Sequence, residues 1–123
     1  MLTQRDLKGE LADLIERSAH LGAADIRRLF SDAMREWEEE QGWDQFNSRQ
    51  PWPEGQLRAV LSDAPTVDNC IKYAKAFGRS YGSIELIYRW AATSDKDVEM
   101  RGRADDSFVQ QVRRVAKELG WRA

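Results

Sequence analysis

The chain has 123 residues, 33% charged and 41% hydrophobic, with a formal net charge of −2. It is long enough to bury a core of its own, and no apolar run approaches the about 18 residues of a membrane span, so a soluble protein without a membrane partner is expected. A single cysteine, Cys70, and a single histidine, His20, leave no internal disulfide and no clustered set of metal ligands or nucleophiles, which argues against an enzyme, a metal site or a bound cofactor.

The amino-terminal residues Met1-Leu2-Thr3-Gln4-Arg5-Asp6 carry no apolar signal core, so the expected location is the cytoplasm. Thr3 followed three residues on by Asp6 forms a variant capping box, with Leu2 and Leu7 spaced as a hydrophobic staple. A first helix should begin near residue 4, place Leu7, Leu11, Leu14 and Ile15 on one stripe, and end near His20, with Gly22 as its left-handed cap. His20 reads as an exposed residue at a helix end. Ile26, Leu29, Phe30, Ala33, Met34 and Trp37 give a second helix over Ala23–Gln41 a broad apolar face. Glu38, Glu39 and Glu40 fall in its last turns, an acidic patch either solvated or meeting a basic partner. Residues 1–41 hold ten acids against six bases, leaving the remainder mildly basic.

Residues 42–55, GWDQFNSRQPWPEG, are rich in turn formers yet hold Trp43, Phe46 and Trp52, so this loop should pack against the fold. It is the natural internal boundary, with a core shared by both sides. Pro53, Pro65 and Gly78 then punctuate three short helices, Pro53–Ala64, Val67–Phe77 and Tyr81–Ala92. Ala74, Gly78, Ile84 and Ile87 stand in the register of a helix-turn-helix: a small residue for close crossing, a glycine for a positive φ, and two core contacts. Cys70 falls near the start of the middle helix as a small buried hydrophobe. Residues 93–104 read as a charged loop. Asp105 or Asp106 then caps a last helix reaching Gly120, with Phe108, Val109, Val112, Val115, Ala116 and Leu119 inward and Trp121 folded back on it, so that residues 105–121 form the closing element. The expected fold is all-α, about six helices.

From Trp52 to Trp90 the chain resembles the Myb/SANT-like helix-turn-helix family. The likeness rests on the opening Trp52-Pro53-Glu54, a middle helix ending Phe77-Gly78-Arg79-Ser80, and a third helix whose Ile84, Ile87 and Trp90 face inward. It covers residues 52–92, about a third of the chain. It implies that the third helix reads double-stranded DNA. On that mapping Tyr81, Ser83, Glu85, Leu86 and Arg89 meet base edges, with Arg89 reaching a guanine and Glu85 a cytosine amine, and Tyr88 at the border. Lys72, Lys75, Arg79, Ser80, Arg101 and Arg103 meet phosphates, Ser80 through the start of the helix. The implied protein is a small DNA-binding regulator of bacterial or phage type, its residues 1–41 supporting the fold or forming a homodimer. The third helix departs from the family in carrying Glu85 and Arg89 where several bases are usual. SANT-type relatives with weakly basic third helices bind proteins, so the alternative is a protein-interaction module or an accessory subunit.

Overall fold

A computed structural model describes residues 2–122, apart from the side chain at position 27. Among the described residues there are seven helices and no strand: α1 (Gln4–Arg17), α2 (Ala23–Gln41), α3 (Glu54–Leu61), α4 (Val67–Phe77), α5 (Tyr81–Ala92), α6 (Asp95–Met100) and α7 (Ser107–Glu118). The chain divides into two units, Met1–Gln41 and Gly42–Ala123.

In the first unit, Thr3 Oγ1 accepts from Asp6 N at 3.1 Å and starts α1 as its spacing requires. The helix stops at Arg17, short of His20, because Ser18 caps it and turns its hydroxyl onto Leu14 O. No residue of α1 is buried. Helix α2 covers the span its periodicity predicts.

In the second unit α5 is the central rod, packed against α3, α4 and α7. Ile84, Ile87, Tyr88 and Ala91 of α5 are buried against Leu57, Val60 and Leu61 of α3, Cys70 and Ala74 of α4, and Val112, Val115 and Ala116 of α7. Helix α3 is shorter than expected. Pro53 is its cap, and the Ser62 hydroxyl bonds back to Arg58 O as the helix ends. Tyr88 lies inside the fold, where its hydroxyl donates to Val60 O at 2.8 Å and burial keeps the phenol neutral. Trp90 is only half-buried.

The segment 93–104 is not a plain loop. Ser94 Oγ accepts from Asp97 N and starts α6, whose Val98 is buried. Asp106, not Asp105, caps α7 through Val109 N. At the far end Gly120 takes φ 89° and Trp121 N bonds back to Ala116 O. The Trp121 indole donates to Leu61 O at 2.8 Å and stacks 6.1 Å from the Tyr88 ring. Arg113 is also buried. It donates to the carbonyls of Trp90 and Thr93 at the end of α5 and pairs with Asp95, so its charge has a counter-ion.

Candidate functional site

The α4–α5 corner is built as its residues demand. Thr66 Oγ1 accepts from Asn69 N to start α4, Gly78 ends it at φ 63°, and Arg79 N closes back to Ala74 O at 2.9 Å. Ser80 Oγ then accepts from Ser83 N at 3.1 Å and lies 2.8 Å from Ser83 Oγ, starting α5.

The corner is strapped from outside by the aromatic loop. Its three successive carbonyls each accept a hydrogen bond from that loop: Phe77 O from Asn47 Nδ2, Gly78 O from Asn47 N, and Arg79 O from Trp43 Nε1. The Arg79 side chain runs the other way and donates to Gln50 O at 2.6 Å and Pro51 O at 3.0 Å. Its guanidinium carbon stands 3.9 Å from the Trp52 ring centroid. Backbone and side chain thus hold the loop in both directions, which is why a Gly- and Pro-rich segment is fixed here.

Those contacts place several residues expected at a DNA surface elsewhere. Arg79, expected on a phosphate, is 3% exposed and spends its donors on two backbone carbonyls. Lys72 is 2.9 Å from an Asp63 carboxylate oxygen that also accepts from the Tyr73 hydroxyl at 2.5 Å. Those two hydrogen bonds, the tyrosine's first, pull the Asp63 pKa below its ordinary value. Arg89 is exposed but lies 3.0 Å from Glu85, one turn back. Arg103 pairs with Asp106 at 3.4 Å. Lys75 is exposed, with its ammonium 5.5 Å from the Trp43 ring centroid, and Arg101 is the exposed cap of α6. Tyr81, Ser83, Glu85 and Leu86 are half-buried, and Ser80 and Ser83 use each other's hydroxyls. Cys70 is buried, and desolvation, with Glu85 adding to it, pushes its thiol pKa up.

What the fold does bring together is a cavity of about 730 Å3 between the strap, α5 and the first turns of α7. Its wall is made by 48–52, by Arg79, by Ser83 and Leu86 of α5, and by Ser107, Phe108, Gln111 and Arg114 of α7. Three arginines line it and no carboxylate does. Arg114 is partly balanced from outside by Glu54 at 2.5 Å and Glu118 at 3.3 Å. Arg49, at the rim, holds φ 65°, a left-handed conformation that costs a non-glycine residue about 1–3 kcal/mol. Gln111 Nε2 donates to Trp52 O at 3.0 Å and ties α7 to the strap. Arg79, Ser83 and Leu86 were legible as site residues in other roles. Trp52, Arg49, Gln111 and Arg114 were not, although Ser107, Gln111 and Arg114 stand at i, i+4 and i+7 on one face of α7.

A family model described as "Uncharacterised protein PM1205 C-terminal domain" matches residues 46–123. The chain belongs to this family. All the cavity-lining residues fall within the region matched to the PM1205 C-terminal domain, whereas α1 and α2 precede it. A protein of Pasteurella multocida (strain Pm70), named "Uncharacterized protein PM1205", is 51% identical over 73 residues, which is 59% of this chain. The match spans 58% of that relative's length. No solved structure matches the chain. Among the described residues no helix is long and apolar enough to cross a membrane, and no group of three His, Cys, Asp or Glu side chains is placed to hold a metal ion.

Proposed function

We propose that residues 42–123 form a protein-interaction module that takes a segment of another polypeptide in the cavity between the strap, α5 and α7. The observation that carries this reading is the lining itself. Trp52, Leu86 and Phe108 offer apolar contact, and Ser83, Ser107, Gln111 and three arginines surround them with hydrogen-bonding groups. Aromatic and arginine side chains are the residues that dominate protein interfaces. The module acts by recognition and not by catalysis, since the cavity offers neither histidine nor carboxylate as a base. A reducing cytoplasm suits its single buried thiol.

The test is a random-peptide display selection on the full chain, repeated on Leu86→Arg. Enriched peptides that bind the chain and lose at least tenfold in affinity for Leu86→Arg, with its circular dichroism unchanged, support the reading. No enrichment, or equal binding by the variant, contradicts it.

A second reading, duplex DNA binding in the Myb/SANT manner, is favoured by the left-handed Gly78 corner and the Ser80 cap ahead of α5. It relies on Lys75 and Arg101, and on Arg89 once it leaves Glu85, because the Nη groups of Arg79 are spent on carbonyls and Lys72 is paired. An accessory subunit of a nucleic-acid enzyme would combine both surfaces.

Helices α1 and α2 supply self-association in this proposal. Leu7, Leu11, Leu14 and Ile15 of α1, with Leu29 and Phe30 of α2, stay 40–66% exposed. Sedimentation equilibrium of Leu11→Glu should give a smaller mass than the parent chain, and equal masses would remove the dimer.

A further inference from the structure

Arg79 is the starting point, because a buried charge is normally paired. The other buried arginine, Arg113, has Asp95 beside it. Arg79 has only carbonyl oxygens and the Trp52 face, and its buried Nε has no hydrogen-bond partner. Among the described residues no carboxylate forms an ion pair with it, and burial alone pulls its pKa down. This uncompensated cation forms part of the wall of a cavity that contains Arg49 and Arg114 and no acid.

Building on the interaction-module reading, we propose that the cavity is an anion seat for an acidic peptide segment of a partner protein. One carboxylate of the segment lies beside Arg49 and Arg114 within the field of Arg79, whose two Nη donors stay on Gln50 O and Pro51 O, and an adjoining apolar side chain rests on Trp52, Leu86 and Phe108. Three features converge on this occupant. The lining is cationic and holds no acid, and because Glu54 and Glu118 already balance Arg114, the attraction for a carboxylate comes mainly from Arg49 and Arg79. The Ser107 hydroxyl and the Gln111 Oε1 lie along the same wall and add hydrogen-bonding capacity, while Ser83 shares its hydroxyl with Ser80 and Gln111 Nε2 donates to Trp52 O. Trp52, Leu86 and Phe108 share the lining with the arginines, which suits a carboxylate and a hydrophobic side chain next to each other in sequence.

The experiment uses the full-length 15N-labelled chain and two matched probes, acetyl-Leu-Glu-Leu-amide and acetyl-Leu-Gln-Leu-amide, followed by NMR. The expected result is saturating shifts at the Ser107 and Gln111 amides and at the Arg79 Nε–H with the glutamate probe, at least fivefold tighter than with the glutamine probe. Ser107→Asp is the companion variant. It puts a carboxylate in the cavity at the first position of α7, where the helix dipole favours negative charge, so the fold should be kept or stabilised while the glutamate probe is lost. Inorganic phosphate and a 12-base-pair duplex are the remaining arms. Equal affinity for the two peptides, no shifts at these positions, or an unaltered response in Ser107→Asp overturns the anion seat. Equal binding of both peptides at these residues overturns only the anion seat and leaves the interaction module standing. A duplex that moves these resonances while neither peptide does removes both.

Discussion

Phe46 lies directly over Gly78: a Cβ built on that glycine would stand 2.5 Å from the phenylalanine Cε1. The same residue holds φ 63°. Two separate demands therefore fall on one position, a left-handed backbone and space for a ring carried by the strap.

Gly78→Ala should destabilise the chain on both grounds. The backbone term is about 1–2 kcal/mol, and displacing the ring adds to it. In a Phe46→Ala background the ring term disappears, so the same substitution should cost less. Urea unfolding of the four chains in this cycle measures the difference, and an equal cost in both backgrounds would show that the ring does not press on the corner.

Arg79→Lys should cost about 2 kcal/mol in urea unfolding. An ammonium cannot reproduce the planar fork that reaches Gln50 O and Pro51 O while stacking on Trp52. Trp52→Ala should then matter less in the Arg79→Lys chain than in the parent, because the stacking partner is altered. Additive effects would contradict the strap as described.

How much could be read before the fold was known divides along the range of the interactions. Thr3 and Ser80 were legible as caps, and Asp106 as one of two candidates with Asp105, because a cap is made within three residues of itself. The spans of α2, α4 and α5 followed from periodicity and punctuation in the same way. Helix α6 escaped because six residues with one buried side chain, Val98, show no period. The cavity was hidden for the opposite reason. Arg79 is held by carbonyls nearly thirty residues earlier in the chain, and Gln111 by Trp52 O across 59 residues. A basic residue at a helix-turn-helix corner looks like a phosphate contact until the loop that covers it is placed. The aromatic content of 42–55 carried the one advance sign, that this loop packs.

The Asp63, Lys72 and Tyr73 cluster sets an acid limit and an alkaline one. The folded pKa of Asp63 lies below its ordinary 3.8, so its contribution is complete above that value and is lost as pH falls through the folded pKa. Tyr73 is raised above 10.0, chiefly by its hydrogen bond to Asp63, so its contribution holds below 10.0 and is lost as pH rises through the folded pKa. Asp63→Asn should leave a shallower loss of stability below pH 4 than the parent chain shows. It should also return the Tyr73 titration, followed by ultraviolet absorbance, toward 10. A Tyr73 titration that does not move would place the cause elsewhere.

The proposed role of residues 42–123 is recognition of a polypeptide and not of a phosphate backbone. Its most direct test is fluorescence anisotropy of a labelled 20-base-pair duplex titrated with the full chain at about 50 mM salt, where counterion release favours binding most. The account predicts no saturable binding at protein concentrations that saturate a display-selected peptide. Saturable duplex binding that weakens steeply with salt, and that Arg89→Ala reduces, would contradict it and return α5 to the role of a DNA-reading helix.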